Sequence, residues 1–219
     1  MRDLNAGRVA SNSGNCASLV VFLHGYGANG QDLLGLAAPL GEHMPDTVFL
    51  APDAPNVCGG NPLGFEWFPI PWLDGSSEKI ANVEMAKSLD DLSAWLDKVM
   101  AEEGVTPAQT VLLGFSQGTM MSLHLAPRRD APFACVVGFS GRLLQPEKLA
   151  EEVVSKFPIL LVHGDQDEMV PPASMPQAAE ALTAAGFEVR THISPGTAHG
   201  IAPDGLGLAL QFMVGNLST

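Results

Sequence analysis

Six short apolar runs punctuate the chain: SLVVFLHG (18–25), TVFLAPDAP (47–55), TVLLGFS (110–116), FACVVGFSG (133–141), FPILLVHGD (157–165) and FEVRTHISP (187–195). Gly, Pro and Asp bound them, and most lack the polar alternation of a strand with one wet face. They therefore read as strands covered on both sides, the pattern of a parallel sheet. Between them the apolar spacing changes to three and four residues, most clearly over 78–104, which predicts an amphipathic helix. A second helix is predicted over 171–186, which ends on a glycine, and a third near 204–216. Strand and helix in alternation predict a single α/β domain over 1–219, with a mostly parallel central sheet and helices on both faces.

One segment departs from this rhythm. Asp53 to Glu78, DAPNVCGGNPLGFEWFPIPWLDGSSE, is long, rich in Pro and Gly, and carries Trp67 and Trp72. Connections of that length inside a compact domain usually serve function, so it is expected to be a substrate loop. Its side chains Leu63, Phe65, Trp67, Phe68, Ile70 and Trp72 are candidates for the wall of an apolar pocket, with Met169 and Val170 as a further wall.

Composition narrows the possible partners. With 219 residues, 46% of them hydrophobic, the chain is large enough for a sizeable core. A net charge of −13, with only 11 Lys and Arg and no basic run, argues against nucleic acid and anionic lipid. No apolar run approaches the ~18 residues of a membrane span, and the N-terminal stretch lacks the apolar centre of a signal peptide. Neither stable membrane insertion nor secretion is expected, and the cytoplasm is the expected compartment. Cys16, Cys58 and Cys135 form no CxxC pair and have no histidines at zinc spacing, so reduced thiols and no metal are expected. Apolar strips on the helices of such a fold leave a homodimer open.

The chemistry centres on GFSQG, residues 114–118, at the point where a strand runs into a helix. In an α/β sheet this pattern is a nucleophile elbow, a tight turn that lifts the serine above the sheet edge, and the helix N-terminus favours developing negative charge. The same residues also suit a turn in which Ser116 merely caps the helix. The two readings separate on whether an acid and a histidine follow, since a serine needs a base to attack at neutral pH. Asp165 and Asp167 lie on the loop leaving the 157–165 strand, and His199 lies on a Gly-flanked loop before the last helix. That is the Ser, Asp, His order of this fold. His24, His43, His124, His163 and His192 compete with His199; His124 falls inside a helix and His192 inside a strand, poorly placed to swing over a nucleophile, and His163 ends a strand too close to the aspartates. The turn HGYGANG (24–30) is suited to donating backbone N–H groups, so the amides of Tyr26 and Gln117 are the expected oxyanion donors. It lacks the lysine of a P-loop and the G-x-G-x-x-G spacing of a dinucleotide site.

Taken in order, LHGYGANG, LAPDAP, WFPI, GFSQG, VHGDQDEMVP and AHGI resemble the motifs of the phospholipase/carboxylesterase family of α/β-hydrolases, which includes bacterial carboxylesterases and acyl-protein thioesterases. The resemblance runs from Ser18 to the last helix. It implies Ser116 as nucleophile, Asp167 rather than Asp165 as the acid, His199 as base, Tyr26 and Gln117 as oxyanion donors, a small-molecule ester as substrate, and no cofactor. Members of the family often have Leu where Tyr26 stands. The segment from Cys58 to Glu78 is also longer and more aromatic than the corresponding stretch of acyl-protein thioesterases, and looks more like the branch acting on small esters. The expected function is a serine carboxylesterase for small or medium acyl chains. Alternatives are an acyl-protein thioesterase or lysophospholipase, a peptidase or lactonase with the same triad, and a non-catalytic ligand-binding protein on the same fold.

Overall fold

The computed structural model describes residues 2–217. In chain order the strands are β1 (Ala6–Val9), β2 (Ser18–Leu23), β3 (Thr47–Pro52), β4 (Asn56–Cys58), β5 (Asn61–Glu66), β6 (Thr110–Phe115), β7 (Cys135–Phe139), β8 (Ile159–Gly164) and β9 (Val189–Ser194). The helices are α1 (Gly30–Leu34), α2 (Ala37–Gly41), α3 (Pro71–Asp74), α4 (Glu78–Glu103), α5 (Gln117–Leu125), α6 (Pro146–Glu152), α7 (Ser174–Ala184) and α8 (Pro203–Leu217). Seven strands form the central sheet in the order β1-β3-β2-β6-β7-β8-β9. All neighbours are parallel except the edge pair β1 and β3.

Five of the six apolar runs are explained by burial on both faces; the sixth forms β9, the other edge strand, whose Arg190, Thr191 and Ile193 are exposed. Along β2, Leu19, Val21 and Leu23 enter one core cluster while Val20 and Phe22 enter the other, because successive side chains of a strand point to opposite faces. The first cluster is closed by Trp95 and Leu96 of α4, Met121 of α5, Leu149 of α6 and Leu182 of α7. The second is closed by Leu33 of α1, Leu40 of α2, and Phe212 and Met213 of α8. Each large side chain buried in this way contributes about 1.5–3 kcal/mol relative to exposure. The predicted helix over 78–104 is α4: the Ser77 side chain accepts from the N–H of Ile80 at its start, and Gly104 ends it at φ 71. The helix predicted over 171–186 is shorter, because Pro171 and Pro172 occupy a turn ahead of α7.

The long segment after Asp53 is not an open loop. β4 and β5 pair as an antiparallel hairpin with an irregularity at Val57 and Cys58, and α3 follows. Pro62 and Gly64 lie within β5, residues that weaken a strand pattern in sequence. The hairpin docks on the turn after β2: Phe65 N donates to Ala28 O at 2.7 Å, and Gly27 N donates to Phe65 O at 2.9 Å. The segments that follow the carboxyl ends of β2, β6, β8 and β9 hold Tyr26, Ser116, Asp167 and His199, the end of a parallel sheet at which ligands bind.

Candidate active site

Ser116 has φ 53 and ψ −113, and its side chain makes no capping hydrogen bond to α5. A non-glycine residue held there stores strain of order 1–3 kcal/mol, which persists only where the surroundings impose it. They do so here: Ser116 N donates to Phe139 O at 2.8 Å, and α5 begins hard against the end of β2. A Cβ on Gly118 would lie 1.9 Å from Leu23 O, and one on Gly114 would lie 2.4 Å from Thr119 N. Only glycine fits either position.

His199 Nδ1 lies 2.7 Å from Asp167 Oδ2. The Asp167 side chain is fully buried, and its Oδ1 accepts from the N–H groups of Met169 and Val170, both at 2.9 Å. Burial works to raise this carboxyl's pKa, but the hydrogen bonds from His199, Val170 and Met169 outweigh it and hold the group below its ordinary range. An ionised carboxylate accepts only, so in the neutral ring the His199 proton sits on Nδ1 and Nε2 is left as the acceptor. The Phe115 ring packs on the imidazole with centroids 4.9 Å apart. Asp165 is exposed and accepts from Gly196 N at 2.7 Å. It braces the turn after β9 and does not meet His199.

The remaining histidines are engaged elsewhere or lie on the surface. His24 accepts from Ala54 N through Nε2 and contacts Gly25 O through Nδ1, and burial lowers its pKa. Burial, with Arg128 nearby, takes His124 down to about 4. His192 pairs with Asp204, and His43 is exposed. His163 is buried, with Nε2 2.9 Å from Val170 O and 3.2 Å from Asp167 Oδ2, so it packs behind the carboxylate rather than over the serine.

Two tight segments flank Ser116, and Trp67 joins them. Its backbone N–H donates to Gln117 Oε1 at 2.8 Å, while its indole N–H donates to His24 O at 3.0 Å. Gln117 Nε2 in turn donates to Phe68 O at 2.7 Å. The Gln117 side chain therefore clamps the WF segment onto the elbow, and the indole pins the HGYG turn at a set distance from it. Tyr26 and Gln117 line one cavity with Ser116 and His199.

That cavity has a volume of about 660 Å³ and a mainly apolar wall, within the size range of small-molecule sites. Of the expected wall residues, Phe68, Ile70, Trp72, Met169 and Val170 line it. Leu63, Phe65 and Trp67 do not. Leu63 is 87% exposed on the hairpin, Phe65 bridges to the turn at Ala28, and Trp67 is fully buried between Gln117 and His24. Met85, Met120, Arg142 and Leu144 also line the cavity. They come from α4, α5 and the segment after β7, and no local pattern in the sequence marks them. Among the described residues no three His, Cys, Asp or Glu side chains gather as a metal-binding set, and no helix is long and apolar enough to cross a membrane. Cys16, Cys58 and Cys135 are unpaired.

A parallel sheet that presents a strained serine at a strand-to-helix turn, beside an aspartate-held histidine, defines an α/β-hydrolase. The chain belongs to the phospholipase/carboxylesterase family, whose model matches residues 4–216, and is thereby an ester-cleaving serine hydrolase. It is 28% identical to acyl-protein thioesterase 1 of Saccharomyces cerevisiae, covering 99% of this chain and 100% of that protein. It is 26% identical to the esterase YpfH of Escherichia coli, covering 89% and 81%. Among solved structures, the esterase PE8 superposes with a TM-score of 0.93 at 42% identity, over 99% of this chain and 100% of that one. The fold is also that of Arabidopsis thaliana SOBER1, with a TM-score of 0.79 at 23% identity over 91% and 99%.

Proposed function

We propose that this protein is a carboxylesterase that cleaves esters of small or medium acyl chains through Ser116, His199 and Asp167 by way of an acyl-enzyme. The observation that carries the reading is the 2.7 Å contact between His199 Nδ1 and the buried, ionised Asp167, at the cavity that also holds the strained Ser116. Ser116 Oγ attacks the ester carbonyl as His199 Nε2 takes its proton, and the amides of Tyr26 and Gln117 receive the oxyanion. Collapse breaks the bond to the alcohol, which leaves with the proton from His199. Water then attacks the acyl-enzyme with the same base, returning free acid and Ser116. No hydrogen bond joins Oγ to the imidazole among the described residues, and such contacts commonly tighten only when substrate is bound.

A fluorophosphonate probe tests the nucleophile. It is expected to label the wild type at Ser116 and to leave Ser116→Ala unlabelled; equal labelling of the variant refutes the assignment. The names of the thioesterase relatives support a second reading, hydrolysis of acyl thioesters on protein. Comparing kcat/KM for p-nitrophenyl butyrate with that for a palmitoylated peptide thioester decides between them.

A further inference from the structure

Arg142 stands apart from the other arginines. Acids outnumber bases 24 to 11 in this chain, and the arginines at 2, 8, 128, 129 and 190 each pair with a carboxylate. Arg142 makes no ion pair and no side-chain hydrogen bond among the described residues, and it lines the same cavity as Ser116 and His199. Glu78, the other acidic or basic residue on that wall besides His199, is exposed and does not pair with it.

The backbone explains why the guanidinium is there. The turn Ser140–Gly141–Arg142 leaves β7 through a left-handed Ser140 at φ 48. It is wedged into the site from both sides. A Cβ on Gly141 would lie 3.0 Å from Ser116 O and 2.4 Å from Thr119 Cβ, and Ser140 Oγ lies 3.5 Å from Gly200 O, next to His199. Ser140 N donates to Val162 O at 2.9 Å. Strain held at a non-glycine residue between nucleophile and base is the kind kept for function, and the turn that carries it sets Arg142, exposed and without an ion pair, at one edge of the apolar cavity.

We infer that Arg142 is a specificity-determining residue, and that the preferred ester carries an anionic group, a carboxylate or a phosphoryl group, a few carbons from the scissile carbonyl. The proposal rests on the esterase reading above. The planar guanidinium offers two parallel N–H donors that match either anion. The apolar wall formed by Phe68, Met85, Met120 and Leu144 takes the carbon chain between the two ends. A net charge of −13 slows the approach of an anion from solution, so a local cation is what such a substrate requires.

The test compares kcat/KM for monomethyl adipate, an anion, with that for neutral dimethyl adipate, in wild type, Arg142→Gln and Arg142→Lys. The anion-to-neutral ratio is expected to fall about tenfold in Arg142→Gln, through KM, as for loss of one charge-assisted hydrogen bond. Arg142→Lys is expected to recover part of it. Competition by butylphosphonate against hexanoate, lost in Arg142→Gln for the preferred anion, identifies the source of the charge. A ratio unmoved by Arg142→Gln overturns the anion site and leaves the esterase reading standing. A wild type that hydrolyses neither dimethyl adipate nor p-nitrophenyl butyrate overturns the esterase reading instead, and hydrolysis that survives in Ser116→Ala overturns Ser116 as its nucleophile.

Discussion

Replacing Asp167 by asparagine tests the site most sharply, because the structure dictates how the new amide must sit. Oδ1 of Asp167 accepts two backbone N–H groups, from Met169 and Val170. Only the carbonyl oxygen of Asn can keep those bonds, so its NH₂ group must occupy the Oδ2 position facing His199 Nδ1. A donor there forces Nδ1 to become the acceptor and moves the imidazole proton to Nε2, the atom that has to receive the serine proton. The base is then present but blocked. In a serine-protease triad the corresponding substitution lowers kcat by about 10⁴, or about 5.4 kcal/mol of transition-state stabilisation at 1.36 kcal/mol per tenfold. His163 Nε2, 3.2 Å from Oδ2, meets the same wrong-handed donor and resists the amide further. Folding is expected to lose less, about 1.5–3 kcal/mol for one hydrogen bond to a charged group, so the variant should still be isolated folded. The assay is kcat for p-nitrophenyl butyrate alongside a urea unfolding curve. Activity of Asp167→Asn within tenfold of wild type, or a larger loss in Asp165→Asn than in Asp167→Asn, would refute the reasoning.

Two further outcomes follow from the same contacts. Asp167 has a pKa lowered by folding, so it contributes stability that is present above its unfolded value of about 3.9 and is lost as pH falls through the lower folded value. The gap in urea midpoint between wild type and Asp167→Asn is therefore expected to be widest above about pH 5 and to close on acidification; a gap that widens in acid contradicts this sign. Trp67→Phe keeps the backbone donor to Gln117 but removes the indole donor to the buried His24 carbonyl. A stability loss of roughly 1–3 kcal/mol is expected, together with a fall in kcat at nearly constant KM as the turn bearing Tyr26 loosens; an unchanged urea midpoint argues against the bridge.

The difference between what could be read in sequence and what could not has physical causes at particular residues. The strands β2, β3, β6, β7 and β8 were legible because both of their faces are buried, which writes each as an unbroken apolar run. The edge strand β1 is only partly covered, and its AGRV carries no such run. The hairpin β4–β5 is hidden by its glycines and proline, and owes its form to docking on Gly27 and Ala28. Trp67 and Trp72 look alike in composition, yet one is fully buried as a bridge between two turns and the other is 65% exposed at the cavity wall. Nothing local separates them, since the difference lies in which distant carbonyl each ring can reach.

By itself the sequence determined the alternation of strand and helix, and with it a parallel sheet whose strand ends carry Ser116, the aspartate pair and His199, because burial on two faces and the needs of a tight turn leave their mark in neighbouring residues. Only the tertiary structure decided the contacts between residues far apart in the chain. It turned Asp167 inward to His199 and Asp165 outward to Gly196, tied Gln117 to the WF segment, and brought Arg142 to the cavity without a partner. Those choices depend on where a side chain's hydrogen-bonding atoms arrive once the sheet has closed over its core.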